Sequence, residues 1–244
     1  MLRGLYTAAS GMNYQLNRQD AIANNLANIN TVGYKKDDFI GAAFQEELFL
    51  ALDRRAVTPI GSVSLGVEVD QVHTQLTPGN YIATENPLDL AIVGEGYFVV
   101  ETATAQYLTR NGHFTRSADG YLVTSEGDRV LGENGPLRID GQVEISGDGS
   151  VRVDNQVVDR MLVVLPAAQN SLIKEGDSRF LLTGGWTRVQ TPLVNQGEVE
   201  NSNVNPIEEM TKMIAVTRAY ESNQKAIAVM DEVMNKIANE LGRV

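Results

Sequence analysis

The chain contains no cysteine and only two histidines, His73 and His113. The first absence excludes disulfides, thiolate metal sites and a cysteine nucleophile. The second leaves little room for metal chemistry, because neither histidine has another at ligand spacing, so no metal and no cofactor is expected. A basic surplus is missing too. With 20 lysines and arginines against 31 acids, a net charge of -11, the chain is a poor partner for nucleic acid or an anionic membrane surface. No apolar run is long enough to span a bilayer, so no direct membrane insertion is expected. The start MLRGLYTAASGMNYQ lacks the apolar core of a signal peptide. Any export is therefore expected to proceed without a cleaved signal.

Motifs for chemistry are equally scarce, and no catalytic residue is expected. Gly94-Glu95-Gly96 opens like a dinucleotide loop, but the third glycine would fall on Val99 and the residues that follow read as a strand. A tight hairpin turn is the better reading. The run from Gly61 to Gly66 has the wrong spacing for a serine-nucleophile elbow. Glu208-Glu209 looks less like a carboxylate dyad than like first-turn charge favourable to a helix dipole.

What the chain does have is patterned. Residues 2 to 28 fit a heptad, with Leu2, Ala9, Leu16 and Ala23 in one seam position and Leu5, Met12, Gln19 and Leu26 in the other. Near the far end, Asn205-Pro206-Ile207-Glu208 is a helix start, with asparagine as N-cap, proline at the first helical position and glutamate to close a capping box. A second heptad follows: Met213, Tyr220, Ile227, Met234 and Leu241 in one seam, Val216, Asn223, Met230 and Ile237 in the other. Between these helices run short β-branched and aromatic segments such as Tyr97-Phe98-Val99-Val100, punctuated by glycine turns every six to eight residues, for example Asp119-Gly120 and Asp148-Gly149. That spacing suits antiparallel hairpins. The expected fold class is α+β: long N- and C-terminal helices with a central antiparallel all-β domain. Its parts are residues 1–34 (helix and exit motif), 35–79 (a connecting arm or extended hairpin), 80–185 (β domain), 186–204 (a return connector) and 205–244 (second helix).

Charge divides along the same lines. Residues 1–34 carry Arg3, Arg18 and Asp20, and residues 205–244 are nearly balanced, so the middle holds the whole acidic surplus. The first helix is odd away from its seam, where Gly4, Gly11, Asn24, Asn25 and Asn28 replace the usual lysines and glutamates. Glycine costs about 1 kcal/mol relative to alanine inside a helix. Such a face suits close packing against other backbones, with amides that both donate and accept. Two readings stand: a single intramolecular coiled coil with a poor outer face, or helices buried among copies of the same chain.

The segments TAASGM and ANNLANINTVGYKK near the start, with VENSNVNPIEEMTKMIAVTRAYESNQKAI near the end, resemble the paired terminal signatures of the flagellar rod and hook family. NPLDLAIVGEGYFVV and YLTRNGHFTRSADGYLVT are similar to its rod branch. The resemblance implies a non-enzymatic axial subunit of the basal-body rod. Such a subunit is exported unfolded through the flagellar type III apparatus and polymerises helically with copies of itself and neighbouring rod proteins around a central channel in the periplasm. Its terminal helices would form the inner core, with the β domain outside. Carried to matching positions, the resemblance implies that Asn24, Asn25, Leu26, Asn28, Thr31, Gly33 and Tyr34 organise the end of the first helix. Asn203, Asn205, Glu208, Met213, Arg218, Ala219 and Tyr220 would belong to the second. With the seam residues these make up the expected assembly set. Pro206 departs from the common family form but suits a first helical turn. The brevity of residues 37–66 is more similar to the proximal-rod branch than to the distal-rod branch. A cell-wall glycan-binding β module is the alternative from another class, although Trp186, the single tryptophan, makes a poor stacking platform.

Overall fold

A computed structural model describes the chain apart from residues 1, 44–46, 54–55, 64–65, 169–171, 177 and 242–244. At residues 2, 43, 47–53, 56–63, 68–71 and 240–241 it describes the backbone alone. The side chains of Leu2 and Leu241, both expected in seams, therefore lie outside the described residues. Helix α1 spans Leu2–Ala27 and helix α2 spans Pro206–Leu241, and the elements between them are strands. The α+β class is as expected. The chain divides into two compact units, one of Met1–Leu26, Asp37–His73 and Asn205–Val244, the other of Ala27–Lys36 and Thr74–Val204.

The second unit is organised by the Tyr97–Glu101 strand. It pairs antiparallel with Gln106–Thr109, with Arg129–Gly132 and with Val163–Pro166, within a ten-stranded sheet. Its side chains alternate between two apolar clusters, and both are buried. Phe98 and Val100 join Phe114, Val130 and Met161, while Tyr97 and Val99 join Leu108, Val164 and Phe180. A strand covered on both faces is a continuous apolar run rather than an alternating one, which is why YFVV reads as it does. Fully burying one such phenylalanine stabilises the fold by about 1.5–3 kcal/mol.

Several glycine turns lie where the sequence puts them, with positive φ at Gly120, Gly127, Gly135 and Gly149. The hairpin joining Ser150–Val153 to Gln156–Arg160 instead turns through Asp154 and Asn155, both at positive φ. Short amide and carboxylate side chains tolerate that region, so no glycine marks the turn. Gly94–Gly96 does not close a hairpin. Leu90–Val93 before it pairs with Leu193–Gln196, whereas Tyr97–Glu101 after it lies in the large sheet.

Residues 186–204, expected as a connector, form three short strands. Trp186–Arg188 pairs with Val163–Pro166, Leu193–Gln196 with Leu90–Val93, and Glu198–Glu200 with Tyr81–Ala83. Strands of three or four residues, with Val194 and Val199 the single buried apolar residue of two of them and none in Trp186–Arg188, are too short to show a period. The arm after α1 is extended. Asp37–Ala43 pairs with Val67–Thr74, and Glu47–Asp53 pairs antiparallel with Ala56–Val63.

Candidate functional site

In the first unit the two helices meet through small residues. A Cβ placed on Gly4 would lie 2.8 Å from Met230 Cε, and one on Gly11 would lie 2.9 Å from Asn223 Nδ2. Two turns and then four turns further along, Asn25 reaches Glu209, with Nδ2 3.4 Å from Oε2. Contacts that step forward seven and fourteen residues in α1 while stepping back by the same numbers in α2 define an antiparallel heptad register. Close approach is the reason for the glycines, and their propensity cost is offset by packing.

This contact face matches the apolar spacing of α1 only in part. Ala8, Ile22 and Asn25 are buried, Leu5, Met12, Leu26 and Asn28 are half-buried, and Ala9, Leu16, Ala23 and Asn24 are exposed. Within the chain, then, Leu5, Met12 and Leu26 of one seam are partly covered, while Ala9, Leu16 and Ala23 of the other face outward. On α2 the heptad matches the covered stripe, with Val216 buried and Met213, Tyr220, Ile227, Met230 and Met234 half-buried. Arg218 and Ile237 are exposed. The uncovered sides of both helices carry large apolar residues among polar ones. Tyr6 is 54% and Leu16 44% exposed on α1, and Ile207, Met210, Ile214, Val229 and Val233 range from 40% to 75% on α2.

Polar groups fix the helix ends. Asn25 Oδ1 accepts from the Asp37 N–H at 3.0 Å, and its Nδ2 donates to the Asp37 carbonyl at 2.9 Å, so one amide pairs like a strand with the backbone of the arm. Asn205 Oδ1 accepts from the N–H groups of Ile207 and Glu208, at 3.1 and 3.4 Å, as an N-cap does. The Glu208 side chain pairs with Lys212 at 2.8 Å, and Lys212 also meets Glu209 at 2.8 Å. Partial burial works to lower the lysine pKa, but the hydrogen bonds from Glu208 and Glu209 outweigh it and raise the pKa above the ordinary value.

The second unit holds the roots of both helices. After α1 the chain turns through Asn28, whose Oδ1 accepts from the Thr31 hydroxyl at 2.9 Å. It then reaches Gly33 at φ +70, where a Cβ would lie 2.3 Å from the Asn111 nitrogen and 2.4 Å from the Arg110 carbonyl carbon. Only glycine fits there. Tyr34 is fully buried beneath Lys174, whose Nζ sits 3.9 Å from the ring centroid and donates to the Lys35 carbonyl at 2.7 Å. Asn203 stitches the return strand to the exit motif. Its Oδ1 accepts from the Lys36 N–H at 2.8 Å and its Nδ2 donates to the Gln75 carbonyl at 2.9 Å.

Beneath these lies a charge cluster that the sequence patterns do not single out. Lys35, Arg110 and Glu200 are all at least 97% buried. Lys35 Nζ pairs with Glu200 Oε1 and donates to the Thr77 carbonyl at 2.8 Å. Arg110 Nη1 meets Glu200 Oε2 at 3.1 Å, and Nη2 donates to the Gly94 carbonyl at 2.6 Å. Desolvation lowers the Lys35 pKa, and Glu200 opposes that shift. Burial likewise pushes Tyr97 up to about 12, against the pull of Arg110. Two cations share one carboxylate, so removing it would leave buried charge without its counterion. The only signal in the sequence was that YKK and VEN stood inside the terminal motifs.

His113 Nδ1 lies 2.8 Å from Asp89 Oδ1 with the ring half exposed, and His73 is exposed. Among the described residues no cluster of three or more histidine, aspartate or glutamate side chains is arranged to hold a metal ion. No helix among them is long and apolar enough to cross a membrane.

Three segments match known families: residues 5–35 the flagella basal body rod protein family, residues 91–154 the D1 domain of the flagellar hook protein FlgE/F/G, and residues 195–241 the C-terminal domain of flagellar basal body rod FlgEFG proteins. The chain is 35% identical to the flagellar basal-body rod protein FlgG of Agrobacterium fabrum over 262 residues, covering 98% of this chain and 100% of the relative. It is 33% identical to the flagellar basal-body rod protein FlgF of Caulobacter vibrioides over 251 residues, covering both chains fully. With FlgF of Salmonella typhimurium the identity is 31%, over 99% of this chain and 98% of that one.

Proposed function

The chain belongs to the flagellar basal-body rod protein family, and from that premise we propose that it polymerises helically through its terminal helices to form part of the rod. The observation that carries this reading is the pair of uncovered apolar helix faces, with Tyr6 and Leu16 on α1 and Ile207, Met210, Ile214, Val229 and Val233 on α2. Patches of that kind mark surfaces that another protein covers. Copies of the same chain and neighbouring rod proteins are the occupants. The covered seam and cap residues, among them Leu5, Met12, Asn25, Asn205 and Val216, hold each subunit's helices in register while the outer faces, with Leu16 and Ile237, meet other subunits. Many modest contacts along a heterologous helical interface resist twisting, as a drive shaft requires, and the tube they enclose serves as the export channel. The acidic β unit faces the periplasm and the wall. The subunit acts without catalysis and travels through the type III apparatus.

Within the family we assign the chain to the FlgF branch, on the brevity of residues 37–66 and the full two-way coverage with the Caulobacter relative. FlgG is the second reading, favoured by the 35% identity with the Agrobacterium protein. Electron microscopy of purified basal bodies carrying a label within residues 80–185 tests both. Label along the outside of the rod supports the assignment, and its proximal or distal height separates the branches. Label absent from the rod overturns the assignment.

A further inference from the structure

The carboxylate of Glu200 joins groups that are far apart in the chain. Its partner Lys35 lies 165 residues earlier and Arg110 lies 90 earlier. The N–H of Gly79 donates to the same Oε1 at 3.0 Å, and the Glu200 carbonyl accepts from the Gly33 N–H at 2.8 Å. Around it, Asn201 donates to the Asn80 carbonyl at 2.8 Å, and a Cβ on Gly79 would lie 2.0 Å from the Asn201 oxygen. Exit motif, arm end, the strand end at Arg110 and return strand thus close on one residue.

A chain that arrives N-terminus first presents both cations long before their counterion. Apart from Glu200 and, for Arg110, the Tyr97 ring 5.3 Å away, Lys35 and Arg110 meet backbone carbonyls, of Thr77, Ile92 and Gly94. Neutral carbonyls do not replace a counterion, so burying either cation early is strongly unfavourable. The apolar clusters around Phe98 and Phe180 contain neither cation and meet Arg110 only at their margin, at the Tyr97 ring and the Ile92 carbonyl, so most of their burial proceeds without the counterion.

We propose that Glu200 is a closing latch: the second unit stays open around Lys35 and Arg110 until residue 200 has been delivered, and closure then seats the roots of both helices in one step. The latch needs no partner subunit and stands or falls separately from the rod assignment.

Refolding of the purified full-length chain, followed by pulse-labelled hydrogen exchange, tests it. The amides of Val99 and Val100 are expected to gain protection before that of Gly33, and simultaneous protection overturns the proposal. In Glu200→Gln, which keeps the size and loses the charge, the Gly33 amide is expected to open at least tenfold faster, with the folding rate changed less than threefold. That asymmetry marks a contact formed after the folding barrier. Folding slowed in proportion to the stability lost overturns the idea, as does an opening rate within threefold of the parent. Should Glu200→Gln fail to fold, Glu200→Asp, with the charge one methylene short, is held to the same criterion with smaller shifts.

Discussion

Phe98, Phe114 and Phe180 of the β unit are at most 1% exposed, while Ile207 on α2 is 75% exposed. One unit closes its aromatic core within the chain, with exposed apolar residues such as Val157, Ile173 and Leu193 scattered over separate strands; the other, with helices of 26 and 36 residues, covers one stripe of each and leaves the opposite stripe bare. The difference does not follow from hydrophobicity, since both regions are rich in apolar residues. It follows from what each element can reach. A strand with neighbours on both edges and clusters on both faces is complete, whereas a helix packed against one partner buries only a third or so of its circumference. The helical unit leaves apolar surface bare, and in the rod proposed above its outer stripes are where other subunits would supply the rest.

The sharpest way to break this contrast is a charge on an outer stripe. Leu16→Asp and Ile214→Asp are expected to abolish rod assembly and motility while changing the stability of the monomer by no more than about 0.5 kcal/mol, as exposed substitutions do. A motile strain carrying both changes would overturn the division of labour. Next in size is Phe98→Ala, expected to destabilise the β unit by about 3–5 kcal/mol, with the helical circular dichroism at low temperature unchanged. Asn25→Leu removes the amide that pairs with both backbone groups of Asp37, and should cost the helical unit about 1–3 kcal/mol in thermal unfolding. Asn205→Ala strips the cap from α2, a loss of about 1 kcal/mol. The smallest effect is electrostatic. Because the Lys212 pKa is raised, its ion pairs contribute fully below the ordinary lysine range and are lost only as pH climbs through the raised value. The melting temperature of the helical unit should therefore hold its Lys212-dependent part from neutrality up to the ordinary lysine range and lose it between that range and the raised value, and Lys212→Met should remove that alkaline decline.

Local signals in the sequence translated well. Asn205-Pro206-Ile207-Glu208 starts a helix at Pro206 with Asn205 as its cap, although Glu208 pairs with Lys212, and the α2 heptad follows the covered stripe from Met213 to Met234. On α1 the heptad corresponds to the covered side at Leu5, Met12 and Leu26 but not at Ala9, Leu16 and Ala23, because a heptad search rewards large apolar residues and the helix pair approaches most closely at glycines. The Lys35–Glu200–Arg110 cluster and the strands of residues 186–200 escaped for a different reason. Both are made by partners far away in the chain, and a single acid among polar neighbours has no period to betray it.

The contacts of Gly4 with Met230, Gly11 with Asn223 and Asn25 with Glu209 also set a quantum of length. Deleting one residue from either helix would rotate everything beyond it by about 100° and swing a bulky side chain to the place where a backbone must pass. Removing seven consecutive residues from each helix between two rungs would restore the match. Homologous chains that lengthen or shorten this pair are therefore expected to do so in steps of two turns, taken from both helices together.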